Sequence, residues 1–161
     1  MMSRARFAWP LLLLLLACNG SLADREKEAR AARDARDFPK ARQIAETALA
    51  ATTPGQDAAV AWRLEQIRLD ALAAEKQGPE VVASLARLAG PYAAQVTPAL
   101  YRSLADRLKT AGDTTGAIDV LAAGDARFPQ EHEIFVKEIE ALKKGNLDPA
   151  QVEKLKALGY L

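Results

Sequence analysis

The sequence predicts an all-α protein made of antiparallel helical hairpins, on three observations. Aromatic residues are 6% of the 161 residues, and β-branched residues never gather into alternating runs, so no strand is expected. The strong helix formers alanine, leucine, arginine, lysine, glutamate and glutamine dominate every segment between the Gly and Pro positions. Those positions separate helix-length stretches, and a short connection leaves two neighbouring helices no geometry but an antiparallel one.

The N-terminus reads as processed and not folded. Arg4 and Arg6 precede an apolar run over residues 7–17, which ends in Leu15-Leu16-Ala17-Cys18. This layout is a bacterial secretory signal. At ~1.5 Å per residue the run spans about 16 Å, half of a ~30 Å hydrocarbon core, which argues against a transmembrane helix. Its ending resembles the lipobox of bacterial lipoproteins. That resemblance implies that residues 1–17 are removed and that Cys18 becomes a lipidated N-terminus holding the chain to a membrane. An ordinary signal peptide cut nearby, leaving Cys18 as a plain thiol, is the alternative. Asn19 instead of Asp after the cysteine fits delivery to the outer membrane, facing the periplasm. The expected organisation is a signal over 1–17, a lipidated tether over 18–21 and one helical domain over 22–161.

Charge is nearly balanced, with 22 basic and 21 acidic residues, so nothing calls for nucleic acid. The charged residues are interspersed, as on solvated helix faces. Cys18 is the single cysteine, so no intramolecular disulfide is available and stability rests on packing.

In chain order, residues 22–36 predict a charged helix, with Asp24, Glu26 and Glu28 early and Arg33 and Arg36 late, matching the helix dipole. Asp37-Phe38-Pro39 interrupts it. Residues 40–51 resume with Ala41, Ile44, Ala45, Ala48 and Leu49 on one side. Asp57 is the expected cap of a helix reaching about residue 77, whose buried stripe is Val60, Leu64, Ile67, Ala71 and Ala74. Pro79 restarts the chain at a first helical position, and Thr97-Pro98 does so again. Residues 92–96 are too short to assign. Tyr101, Leu104, Ala105 and Leu108 form one face of a helix ending near Gly112, and Ala117, Ile118, Leu121 and Ala122 form the face of the next. Asp148-Pro149-Ala150-Gln151 predicts a capping box, and Gly159 a left-handed C-cap.

Advancing 34 residues from Tyr101, Ala105, Leu108, Leu121 and Gly124 lands on Phe135, Ile139, Leu142, Leu155 and Leu158, an internal repeat. Residues 98–131 resemble a tetratricopeptide repeat, with Tyr101, Leu104, Ala105, Leu108, Gly112-Asp113, Ala117, Leu121, Gly124 and Pro129 at the family's spacings. The segments before residue 98 and after 131 keep that pattern only in part. The resemblance implies hairpins stacked as a short right-handed solenoid with a C-terminal capping helix over 148–161. It also implies a concave groove lined by the first helix of each hairpin, which binds a peptide of a partner protein. Mapped onto this chain, the groove positions are Ala99, Arg102, Asp106 and Lys109, with Arg68, Leu72 and Glu75 in the hairpin before. Arg102 and Lys109 would hold an acidic peptide; equally, Arg102 and Asp106 would form a plain surface pair worth ~0.3–0.5 kcal/mol.

No residue pattern supports an enzyme. His132 stands between Glu131 and Glu133 at a helix start and is expected to be exposed and ordinary; a catalytic imidazole would need a nucleophile or an orienting partner, and no Ser or Cys motif of known mechanical meaning appears. Consecutive helical side chains point about 100° apart and do not converge on a metal. Gly112-Asp-Thr-Thr-Gly116 lacks the lysine of a phosphate loop. No cofactor is expected. The reading is a membrane-anchored, periplasmic protein-binding module such as an adaptor or assembly factor. Its alternative is a structural or self-associating envelope lipoprotein without a peptide groove.

Overall fold

The computed structural model describes residues 20–53, 55 and 57–161; residues 1–17, expected to be a signal, and Cys18 lie outside the described residues. The described residues hold eight α-helices and no strand. These are α1 (Leu22–Asp34), α2 (Phe38–Ala50), α3 (Ala58–Ala74), α4 (Gly78–Leu88), α5 (Pro98–Ala111), α6 (Thr114–Arg127), α7 (His132–Lys143) and α8 (Pro149–Ala157). None of them is long and apolar enough to cross a membrane.

Most helix starts are written in side chains. Ser21 and Asp24 form a capping box at α1, and Thr97 accepts from the Leu100 N–H at α5. Asp113 accepts from the Gly116 N–H at α6, and Asp148 and Gln151 form the expected capping box at α8. The expected interruption at Asp37-Phe38-Pro39 is the boundary between α1 and α2: Asp37 caps α2 and Pro39 sits in its first turn, where its missing N–H costs nothing. Asp57 does not cap α3. It lies in the left-handed region at φ 48° and its side chain makes no capping bond.

Three helix pairs close with one and the same turn. Arg36, Lys76 and Gly112 all have positive φ, at 61°, 62° and 87°. Behind them the N–H groups of Asp37, Gln77 and Asp113 bond the carbonyls of Ala32, Leu72 and Leu108 at 2.9, 2.9 and 2.8 Å. This six-to-one bond, closed over a left-handed residue, is the Schellman ending. It stops α1 at Asp34 and α3 at Ala74, both short of the expected ends, because the chain must turn there. Gly159 ends α8 in the same way, with the Tyr160 N–H bonded to the Leu155 carbonyl at 2.9 Å. A side chain at a left-handed position costs ~1–2 kcal/mol, partly offset by the greater unfolded-state freedom of glycine. Lys76→Gly is therefore expected to stabilise the protein by about 0.5 kcal/mol, read as a higher urea midpoint.

The pairs α1–α2 and α5–α6 pack closely, and the next pair lies on each: α3 packs against α1 and α2, α5 against α3, α6 against α4, and α7 against α6. Long-range side-chain bonds mostly join residues 33 to 38 apart, such as Arg42 to Glu75, Arg63 to Glu26, Arg107 to Asp70 and Arg127 to the Ala89 carbonyl. That separation is one helix pair's length of chain, so equivalent helices lie side by side.

The apolar interior has two parts. From Leu69 to Leu155 a core of leucines, valines, Ile118, Ile139, Tyr101 and Phe135 fills the space between α3 and α8. The other part lies between the first pair and α3, with Ala29, Ala32, Ala41, Ala45 and Ala48 from α1 and α2 packed on Leu64 and Ile67 of α3. Alanine buries little area, so this end gains less from burial than the aromatic-centred end. At the C-terminus Leu155 of α8 is fully buried and Tyr160 packs partly buried on the same core, while Leu158 and Leu161, beyond the helix, stay 42% and 55% exposed.

Candidate functional site

Alpha-5 turns Tyr101, Leu104, Ala105 and Leu108 inward, all of them buried, together with Ala117 and Leu121 of α6. The opposite stripe, Ala99, Arg102, Asp106 and Lys109, is exposed. Pro129 begins the short 3-10 turn (Pro129–Glu131) that leads into α7. Alpha-7 brings Glu138 beside this stripe, and Arg102 Nε and Nη2 donate to Glu138 Oε1 at 2.9 and 2.6 Å. Arg102 therefore pairs neither with Asp106 nor with solvent alone. Both partners are well exposed, which limits such a pair to ~0–1 kcal/mol. Arg102, Asp106, Lys109, Glu138 and Ala141 rim a notch of about 40 Å³ floored by Ala105, Leu121 and Leu142. It admits one small polar group. Among the described residues, Asp106 and Lys109 make no ion pair.

Arg68 is not on an open face. Its side chain is 13% exposed and its Nε donates to Glu65 at 2.9 Å, while Leu72 is buried at 4% exposure. Glu75 is engaged by Arg42 at 3.1 Å. The cause is crowding: α3 is covered by α1, α2, α4 and α5, which leaves no broad free stripe.

The remaining charges of the odd-numbered helices form a ladder that runs from one to the next. Glu26 of α1 is bonded by Arg30 and, across the interface at 3.1 Å, by Arg63 of α3. Burial alone would raise the Glu26 carboxyl, but the two guanidinium hydrogen bonds outweigh it and hold the group below the usual glutamate range. Asp70 of α3 lies 3.8 Å from Arg33 of α1 and 3.0 Å from Arg107 of α5. Residue type alone does not single out Glu26, Asp70 or Glu138. A usable signal is opposite charge at one repeat's separation, as in Glu26 and Arg63, Asp70 and Arg107, or Arg102 and Glu138.

His132 is exposed at the start of α7, with Nδ1 2.8 Å from Asp125 Oδ1. The other Asp125 oxygen accepts the Tyr160 hydroxyl at 2.6 Å. Burial, and then this hydrogen bond, push the Tyr160 phenol well above its ordinary value, so Tyr160 stays a donor that pins the C-terminus to α6. Among the described residues no group of three or more His, Cys, Asp or Glu side chains is placed to hold a metal ion.

Compared with known proteins, the chain matches no family model, no curated protein and no solved structure.

Proposed function

We propose that this chain is a tetratricopeptide-like helical-repeat lipoprotein of the bacterial envelope, held by lipid on Cys18, that works as a protein-binding module and not as an enzyme. Its place would be the outer membrane, facing the periplasm. The repeated left-handed turns at Arg36, Lys76 and Gly112 and the repeat-spaced pairs between equivalent helices support the repeat reading. The lipobox-like Leu15-Leu16-Ala17-Cys18 supports the anchor. The observation that carries the binding role is the exposed stripe of α5, where the Lys109 ammonium makes no ion pair among the described residues and stands beside the notch. An acidic side chain of a partner peptide would meet Lys109 and compete with Glu138 for Arg102.

The internal ladder favours a second reading. Arg33, Arg63, Arg102 and Arg107 are already matched by carboxylates of the chain, as suits a spacer whose charges only hold its own helices in register. Capture from envelope extract on immobilised residues 19–161 separates the two. Under the adaptor reading Glu138→Gln frees Arg102 and strengthens capture of an acidic partner. Reversal of Arg102 and Lys109 to glutamate weakens it by about five-fold or more per contact, and added salt weakens it further. The same proteins bound to all versions, at any salt, would leave the spacer reading.

A further inference from the structure

The first helix pair leaves open a face that is covered in the α5–α6 pair. Counted from the left-handed residues Arg36 and Gly112, the stripe Ile44, Thr47 and Ala51 of α2 corresponds to Val120, Ala123 and Arg127 of α6. On α6 that stripe lies under α4. Val120 is fully buried there, Arg127 donates to the Ala89 carbonyl at 3.2 Å, and the helices approach so closely that a Cβ on Gly78 would stand 2.5 Å from the Gly116 Cα. No helix pair precedes α2 among the described residues, and its stripe is open. With Leu22 and Ala48 it lines a hollow of about 640 Å³ whose lip is Gly20 and Ser21 and whose lining also includes the polar Arg25, Gln43, Thr52 and Asp57. This is sixteen times the volume of the notch beside Arg102, at about 40 Å³.

We propose that this hollow seats an acyl chain of the lipid on Cys18; the inference rests on the lipoprotein reading. Cys18 lies two residues before Gly20, and two extended residues reach at most about 7 Å, so a chain carried there starts at the lip. Once residues 1–17 are removed, that lipid is the nearest apolar material joined to this end of the protein. An alkyl chain brings no polar group that needs a partner, so it can lie along the apolar strip Leu22, Ile44, Ala48 and Ala51 of this open-sided, partly polar trough. Its seating replaces the covering helix that α2 lacks. It also fixes the first pair against the membrane, so that the α5 stripe holds a set direction instead of swinging about the tether.

The test uses the full coding sequence expressed in a bacterial host fed a diazirine-bearing fatty acid, which labels the lipid. The protein is extracted in detergent, its intact mass is measured, and the acyl chains are cross-linked by light. Cross-links are expected within one chain, in residues 22–25 and 43–52, and to fall about ten-fold in Ile44→Glu and in Thr47→Trp, which fills the trough with its own ring. The two variants guard each other, since a helical circular-dichroism spectrum in either one separates loss of the seat from loss of the fold. Lipid present by mass with no cross-link in these segments overturns the inference and leaves the lipoprotein reading standing. A mass without lipid overturns both. Cross-links between two chains assign the trough to a second copy and overturn the inference.

Discussion

Glu65→Ala is expected to destabilise the protein by about 3–5 kcal/mol, far more than removal of any exposed carboxylate, because it strands a buried cation. The Glu65 side chain is 5% exposed and takes Arg68 Nε at 2.9 Å and Arg87 Nη2 at 2.8 Å. Arg87 is largely exposed and returns to water when the carboxylate goes. Arg68 is 13% exposed, and its Nη2 is already buried without a hydrogen-bond partner among the described residues, so it has nowhere to go. Counted from the turns at Lys76 and Gly112, Glu65 and Arg68 occupy the places that Tyr101 and Leu104 hold in α5. The next helix thus shows the apolar solution to the same packing problem. The double replacement Glu65→Tyr with Arg68→Leu is expected to recover wild-type stability or exceed it, since well-packed apolar residues often match or better a buried ion pair by ~1–4 kcal/mol. Urea midpoints of the single and double variants decide this. A loss under about 1 kcal/mol for Glu65→Ala would mean that water reaches Arg68 and that the cluster is not dry.

The same pair explains why the sequence misleads in α3. Period-3.6 reasoning needs one wet face, and α3 is covered by four helices, so Leu64, Glu65, Leu69 and Leu72 are all buried although they point in different directions. The predicted stripe is buried at Leu64, Ile67 and Ala71, but it is only part of the buried surface, and Arg68 was placed on the wrong side. Alpha-5, with one wet face, was legible down to Tyr101, Leu104, Ala105 and Leu108, as were its Thr97 cap and its Gly112 ending. The helix ends at Arg36 and Lys76 were not legible. Glycine announces a left-handed turn because it has no Cβ, whereas arginine and lysine adopt one only when tertiary packing compels it. For the candidate site the sequence supplied Ala99, Arg102, Asp106 and Lys109 as one exposed stripe but gave Arg102 the wrong partner. Rules for a single helix look three or four residues away, and Glu138 comes from the helix beyond the next.

Phe135→Ala is expected to cost about 3–5 kcal/mol, the largest loss from any apolar truncation here. Its ring is fully buried at the start of α7 and meets Tyr101 edge-on, 6.5 Å between centroids, while Tyr101 meets Phe128 in the same way at 5.9 Å. This cluster is where α7 reaches α5 through a gap in α6. Gly124 makes the gap: a Cβ there would stand 2.4 Å from Phe135 Cε1 and 3.1 Å from Tyr101 Cδ1. Gly124→Ala is thus expected to destabilise by about 1–3 kcal/mol through overpacking, despite the better helix propensity of alanine. The two losses should not add. In the double variant the absent ring makes room for the new methyl group and the methyl fills part of the cavity, so the combined loss should fall short of the sum by at least ~1 kcal/mol. Because a stack of pairs need not unfold as one unit, the comparison is made on the amide exchange of α5 to α7 and not on a single melting curve. Strict additivity across the four variants would show that α7 packs on α6 without using the glycine gap.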